Sequence, residues 1–145
     1  MSNTQFAFLK KENVPTQAQW QKAIDELNFQ VRLTIDPELA PFEDEGFSPC
    51  QWGDTDEDVG FEICYEPAED VFDDDDEFKS VAAGNDYCIS MSWGGELKDC
   101  AAVMIASCAL ATSFDAVISY EGDEPDSLEK LVSNTKDVIL EAEKE

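Results

Sequence analysis

The sequence predicts a single α+β domain over residues 1–145, with one mostly antiparallel sheet and about three helices packed mainly on one face. A length of 145 residues suits one domain. Hydrophobic residues make up 43% of the chain, enough to form a core. Segments with strand and helix periodicity follow one another roughly in the order β-α-β-β-β-α-β-α.

The first third of the chain contains a predicted strand, a helix and a second strand. Phe6–Leu9 is a short apolar run typical of a strand. Thr16 and Gln19 have the spacing of a capping box, which predicts a helix start. The apolar residues that follow have helical spacing: Trp20, Ala23, Ile24 and Leu27. Residues 29–35 alternate apolar and polar side chains, which predicts a half-buried strand ending at Asp36.

The middle of the chain is predicted to be less regular. Residues 46–53 read as turns or an irregular strand. Val59–Tyr65 alternates and predicts a strand with Glu62 and Cys64 on the face opposite Phe61. Residues 69–77 include four consecutive aspartates, whose mutual repulsion predicts an exposed loop.

The last third contains two predicted strands and two helices. Tyr87–Trp93 alternates as a strand. A helix then runs from Gly95 or Glu96 to Ser113, and its apolar surface predicts burial across the sheet. With Val117–Tyr120 as the next strand, this order predicts one right-handed parallel crossover. Pro125 is expected in the first turn of a final helix with an apolar stripe over residues 128–142.

Charge is the strongest compositional signal. The chain has 34 acidic and 9 basic residues, a net charge of −25, far beyond the charge of roughly 2–8 that keeps a small domain soluble. Residues 33–78 contain 18 acidic residues and no Lys or Arg. Nucleic acid and anionic membranes are unfavourable partners, because both require basic clusters and only Lys10 and Lys11 are adjacent.

The residue types predict no catalytic centre and no cofactor. Histidine, the commonest general base and metal ligand, is absent. The five cysteines form no Cys-x-x-Cys pair, which disfavours a zinc site. We interpret them as reduced, packed thiols, and the N-terminal residues lack a signal-peptide pattern, so we expect a cytoplasmic protein. Carboxylate pairs leave an enzyme open as an alternative, but no pair stands out.

No metal site is predicted either. Asp54, Asp56 and Asp58 alternate as in an EF-hand loop, yet Gly60 falls at the seventh position instead of the sixth. Glu66 falls at the thirteenth position instead of the twelfth. We interpret this segment as a solvated acidic loop, and loose divalent-cation binding remains an alternative.

Four acidic blocks are the best candidates for function: 43–45, 54–58, 69–77 and 121–126. If they converge, they form a negative face that attracts a basic partner. The residues predicted to bind that partner are Glu43, Asp44, Glu45, Asp54, Asp56, Glu69, Asp70, Phe72, Asp73, Asp74, Asp75 and Asp76. The nearby aromatic residues that could anchor it are Phe42, Phe47, Trp52, Phe72 and Phe78. Phe72 is preferred because it lies between Asp70 and Asp73.

Residues 20–29, 33–36 and 46–50, followed by Gly60-Phe61-Glu62, resemble small bacterial proteins that often act as immunity factors. Such proteins are cytosolic inhibitors of a secreted toxin. The resemblance covers about the first 70 residues. It implies a cognate basic toxin domain whose active site the inhibitor covers, and no catalytic residues.

We therefore expect an immunity protein that inhibits a basic secreted toxin domain. The alternative is a non-enzymatic acidic adaptor or divalent-cation-binding protein of a salt-adapted cell. Salt-adapted proteins spread acidic residues over the whole surface, whereas residues 36–77 hold most of them here.

Overall fold

A computed structural model describes residues 3–43, 45–55, 59–72, 76–121, 124–125 and 127–144, apart from the side chains of Phe72, Glu77 and Phe78. It shows a single α+β domain with a curled antiparallel sheet in the order β2-β3-β4-β5-β1-β6, which confirms the predicted fold class. The strands are β1 (Asn3–Leu9), β2 (Leu33–Thr34), β3 (Gly46–Trp52), β4 (Val59–Pro67), β5 (Tyr87–Trp93) and β6 (Val117–Tyr120). The helices are α1 (Gln17–Glu26), α2 (Ala68–Phe72), α3 (Asp76–Val81), α4 (Leu97–Ser113) and α5 (Leu128–Glu143).

The three longer helices share one face of the sheet, as predicted. Helix α4 packs against α1 and α5 and against strands β1, β4, β5 and β6. Its small Ala, Ser and Cys side chains are buried almost all round, which lets neighbouring elements approach closely. Trp20 of α1 is 1% exposed and donates from its indole nitrogen to the Ala106 carbonyl oxygen of α4 at 3.2 Å.

The other face of the sheet has a smaller core. Because side chains alternate along a strand, Phe8 and Cys88 point away from α4. They are buried against Ala68 of α2 and against Ala82, which follows α3. This short helical segment covers only part of the face.

The capping box predicted for α1 is present. Thr16 Oγ1 accepts from the Gln19 backbone nitrogen at 3.2 Å, and Gln19 Oε1 accepts from the Thr16 backbone nitrogen at 2.9 Å. Two N–H groups at the helix start are thereby satisfied.

The strand predicted over residues 29–35 is wrong in extent, since only Leu33–Thr34 pairs with β3. A side chain of α1 bonds the outer edge of this segment. The Gln21 amide donates to the Leu33 carbonyl oxygen at 2.9 Å and accepts from the Ile35 backbone nitrogen at 2.8 Å. Gln21 thus occupies the edge of β2 where a further strand would pair.

Three other local predictions also need correction. Residues 46–53 form the regular strand β3 up to Trp52, because Gly46–Cys50 pairs with β4. The segment 69–77 is not a simple loop: α2 and α3 form on either side of residues 73–75. Pro125 precedes the last helix, which begins at Leu128 with Ser127 as its N-cap.

The chain direction around α4 matches the predicted crossover. Strands β5 and β6 both pair antiparallel with β1, so they run parallel to each other with β1 between them. In the part of the chain that the structure describes, no helix is long and apolar enough to span a membrane.

Candidate functional site

The uncovered part of the second sheet face carries acidic side chains and one exposed aromatic ring. Phe47 of β3 pairs with Glu62 of β4, and Glu66 follows on the same face of β4. Glu45 precedes β3, and Asp70 is exposed on α2. We call this group, consisting of Glu45, Phe47, Glu62, Glu66 and Asp70, the acidic sheet face.

Carboxylates crowd together on the acidic sheet face. Burial raises the pKa of Glu66 above its ordinary value, and the charges of Asp70 and Glu45 raise it further. Burial also raises the pKa of the Cys64 thiol, as do the charges of Glu66 and Glu45. The first and third acidic blocks therefore meet at this end of the sheet, where like charges destabilise one another.

No basic residue of the described part forms an ion pair with the crowded carboxylates of Glu45, Glu66 and Asp70. Lys10 donates instead to the Gly84 carbonyl oxygen at 2.7 Å. The Lys11 ammonium lies 5.7 Å from the centroids of the Phe42 and Tyr87 rings.

Phe47 is the aromatic residue best placed to contact a partner. It is 63% exposed, the largest value among the exposed large hydrophobic residues that the structure describes. Phe42 is 44% exposed, but its ring packs edge-on against Tyr87 with centroids 5.4 Å apart. Trp52 is only 1% exposed and belongs to the core. The side chains of Phe72 and Phe78 lie outside the described part.

The structure brings only some of the predicted binding residues together. Glu43 and Glu69 are exposed on the segments that hold Glu45 and Asp70. Asp54 lies beyond the other end of β3 from Glu45. The strand between them is roughly 20 Å long at the usual rise per strand residue. There its charge raises the pKa of Arg32, after the larger effect of Asp25.

The remaining predicted positions cannot all be placed. Asp76 is exposed and begins α3. Asp44, Asp56, Asp73, Asp74 and Asp75 lie outside the described residues. The fourth acidic block begins with Glu121 after β6, at the opposite sheet edge from β3. The blocks therefore do not all form one patch.

Sequence reasoning missed Glu62 and Glu66 as site residues. The alternation in Val59–Tyr65 correctly placed Glu62 opposite Phe61, and extending it by two positions would have added Glu66. Their relation to Glu45 and Asp70 depends on the pairing of β3 with β4 and on the packing of α2. No local sequence signal shows that packing.

The described thiols are poorly suited to nucleophilic chemistry. Burial raises the pKa of Cys50 and Cys88 to about 12 and that of Cys108 to about 11. Burial also raises the pKa of Cys100. A reactive cysteine needs the opposite shift, because the thiolate is the nucleophile.

The metal-binding alternative gains no geometric support from the described residues. They include no group of three or more Cys, Asp or Glu side chains arranged to hold a metal ion. Gly60, the candidate glycine of an EF-hand loop, lies in β4 and donates its backbone N–H to Asp99 Oδ1 at 3.0 Å.

Comparisons with protein-family models, with curated proteins and with solved structures find no match to this chain.

Proposed function

We propose that this protein is an inhibitor of the immunity type that acts in the cytoplasm by binding a basic bacterial toxin domain through the acidic sheet face. The bound inhibitor covers the toxin's active site. If the toxin is a nuclease, the carboxylates take the place of the phosphates of its substrate.

The observation that carries the proposal is the carboxylate crowding at Glu66. Burial and two neighbouring negative charges all disfavour its ionised form. Lys or Arg side chains from a partner would offset the negative charges of Asp70 and Glu45 around Glu66.

Phe47 supplies an apolar contact beside the charge. Protein interfaces place aromatic residues at their centre and charged residues toward the rim. The exposed ring of Phe47 lies directly across from Glu62 in the neighbouring strand. An acidic surface alone attracts any basic protein, whereas a ring seated in a pocket selects one.

The proposal can be tested by capture from the native lysate at low and at moderate salt, followed by mass spectrometry. Retention of one basic protein at both salts supports a specific inhibitor. The retained protein should then lose its activity when the purified inhibitor is added in equimolar amount.

Two results would favour other functions. Many basic proteins that all dissociate at moderate salt would indicate generic charge attraction, as in a salt-adapted acidic adaptor. A captured protein that keeps its full activity in the complex would contradict inhibition while leaving binding intact.

A further inference from the structure

A cavity lies on the face of the sheet away from the acidic sheet face. Its volume is about 560 Å³, within the range of small-molecule sites. It opens between the sheet, α4 and α5. The wall residues that matter here are Gln5, Trp93, Met104, Tyr120, Glu124 and Leu131.

Gln5 places a polar group in the wall of this cavity. Its side chain is 3% exposed, and its amide nitrogen donates to Ser107 Oγ at 2.8 Å and approaches Met104 Sδ at 3.6 Å. Among the residues that the structure describes, none donates to Gln5 Oε1. This oxygen is therefore free to accept a hydrogen bond from a ligand in the cavity.

Two aromatic rings and one carboxylate also line the cavity. The rings of Trp93 and Tyr120 have centroids 6.0 Å apart, and the Tyr120 hydroxyl donates to Asn3 Oδ1 at 2.8 Å. Glu124 is exposed and is the only charged residue among the described wall residues. Aromatic faces and a carboxylate both attract an organic cation, and the net charge of −25 repels anions.

We propose that this cavity binds a small amphipathic organic amine. Its apolar body packs against Met104 and Leu131, a hydrogen-bond donor on that body reaches Gln5 Oε1, and its ammonium group meets Glu124 and the aromatic rings. This site is separate from the proposed toxin interface, because Gln5 faces α4 while the acidic sheet face lies on the opposite side of the sheet.

Four aromatic probes separate the contributions of charge and donor. Tyramine has both the ammonium and the phenol donor, phenethylamine lacks the phenol, 4-ethylphenol lacks the ammonium, and 3-(4-hydroxyphenyl)propionate replaces it with an anion. We expect saturable tyramine binding with a Kd below about 1 mM. Removing either group should weaken binding about tenfold, and the anion should not bind. Calorimetry gives the affinities, and the Trp93 indole N–H resonance should shift on titration.

A pair of charge-matched variants locates the ammonium. Glu124→Gln should weaken tyramine binding about tenfold and leave 4-ethylphenol unaffected. Glu129→Gln removes the same charge from the first turn of α5, outside the cavity wall, and should bind tyramine as the wild type does. Both positions are exposed, so folding should be preserved.

Three outcomes would overturn the proposal. The first is no saturable binding of any probe to the wild type. The second is equal affinity for tyramine, 4-ethylphenol and the carboxylate probe, because the cavity would then bind aromatic compounds regardless of their charge. The third is an equal effect of Glu124→Gln and Glu129→Gln on tyramine binding. The loss would then come from the changed net charge of the protein and not from a contact with Glu124.

Discussion

The ring of Phe47 lies against the backbone of Gly60 in the neighbouring strand. A Cβ atom added at Gly60 would lie 2.7 Å from Phe47 Cζ and would also collide with the Ser48 carbonyl oxygen. The absence of a side chain at Gly60 thus leaves room for the Cζ–Cε1 edge of the Phe47 ring. The ring is otherwise largely open to solvent, which presents it to a partner.

Gly60→Ala should destabilise the protein by about 1–3 kcal/mol, because the Ser48 backbone cannot move away without disturbing the pairing of β3 with β4. Denaturant unfolding measures the change. Gly94→Ala is the matched control, since a Cβ there meets no atom within 4 Å, and it should change stability by less than about 0.5 kcal/mol. Equal effects of the two substitutions would refute the close packing.

Gln21→Met should destabilise the protein by about 1–3 kcal/mol, because two hydrogen bonds to the edge of β2 are lost while the length of the side chain is kept. Hydrogen exchange of the Ile35 amide should accelerate as well. Gln17→Met, at the start of the same helix, is the control and should leave that exchange unchanged. An unaltered Ile35 exchange rate in Gln21→Met would show that Gln21 does not hold the strand edge.

The elements with strong periodicity were predictable from sequence. Tyr87–Trp93 and Val117–Tyr120 were predicted with the bounds that the structure shows, and α4 differs only at its first residues. The strand over residues 29–35 was predicted too long because alternating apolar and polar side chains indicate a half-buried segment but do not identify its hydrogen-bond partner. Here Leu33–Thr34 pairs with β3, and the Gln21 side chain bonds Leu33 and Ile35 on the outer edge. The helices flanking residues 73–75 form because Ala68, Val71 and Ala82 pack on the sheet, which overrides the local charge repulsion.

Glu66→Gln should stabilise the free protein at pH 7 by roughly 0.5 kcal/mol in low salt. The pKa of Glu66 is higher in the folded state than its ordinary value of 4.5, so the folded state binds a proton more tightly than the unfolded state. The contribution of Glu66 to stability therefore falls as the pH rises through the range above 4.5. The advantage of the variant should disappear below about pH 4, where Glu66 is protonated in both states.

Unfolding of Glu66→Gln and of the wild type between pH 3 and pH 8 measures this difference. Glu69→Gln removes the same charge from an exposed position at the start of α2 and serves as the control. Equal pH dependence of the two variants would mean that Glu66 is not specially crowded. A larger stabilisation by Glu66→Gln at low pH than at neutral pH would contradict a raised pKa of Glu66 in the folded state.

The candidate site was only partly predictable. Glu45 and Asp70 were identified from the acidic blocks, and the charges of both raise the pKa of Glu66. Asp54 was grouped with them because it is near in sequence, but the length of β3 separates it from them. The cavity around Gln5 had no sequence signal, because its walls come from β1, β5, β6, α4 and α5.

Replacement of Asp73, Asp74, Asp75 and Asp76 by serine should slow association with the basic partner and reduce the salt dependence of the rate. The expectation rests on the sequence, because residues 73–75 lie outside the described part. Charge near an interface acts mainly on the association rate. Stopped-flow association at several salt concentrations measures it, and an unchanged rate would remove this segment from the interface.

Binding through the acidic sheet face can be measured as the affinity of the captured basic partner for two triple variants. Phe47→Ser with Glu62→Gln and Glu66→Gln alters the acidic sheet face. Leu140→Ser with Glu141→Gln and Glu143→Gln likewise removes one exposed apolar side chain and two charges, but from α5. The first variant should lose about 100-fold or more in affinity at moderate salt, while the second should stay within about threefold of the wild type. Equal affinities of the two variants would contradict binding through the acidic sheet face.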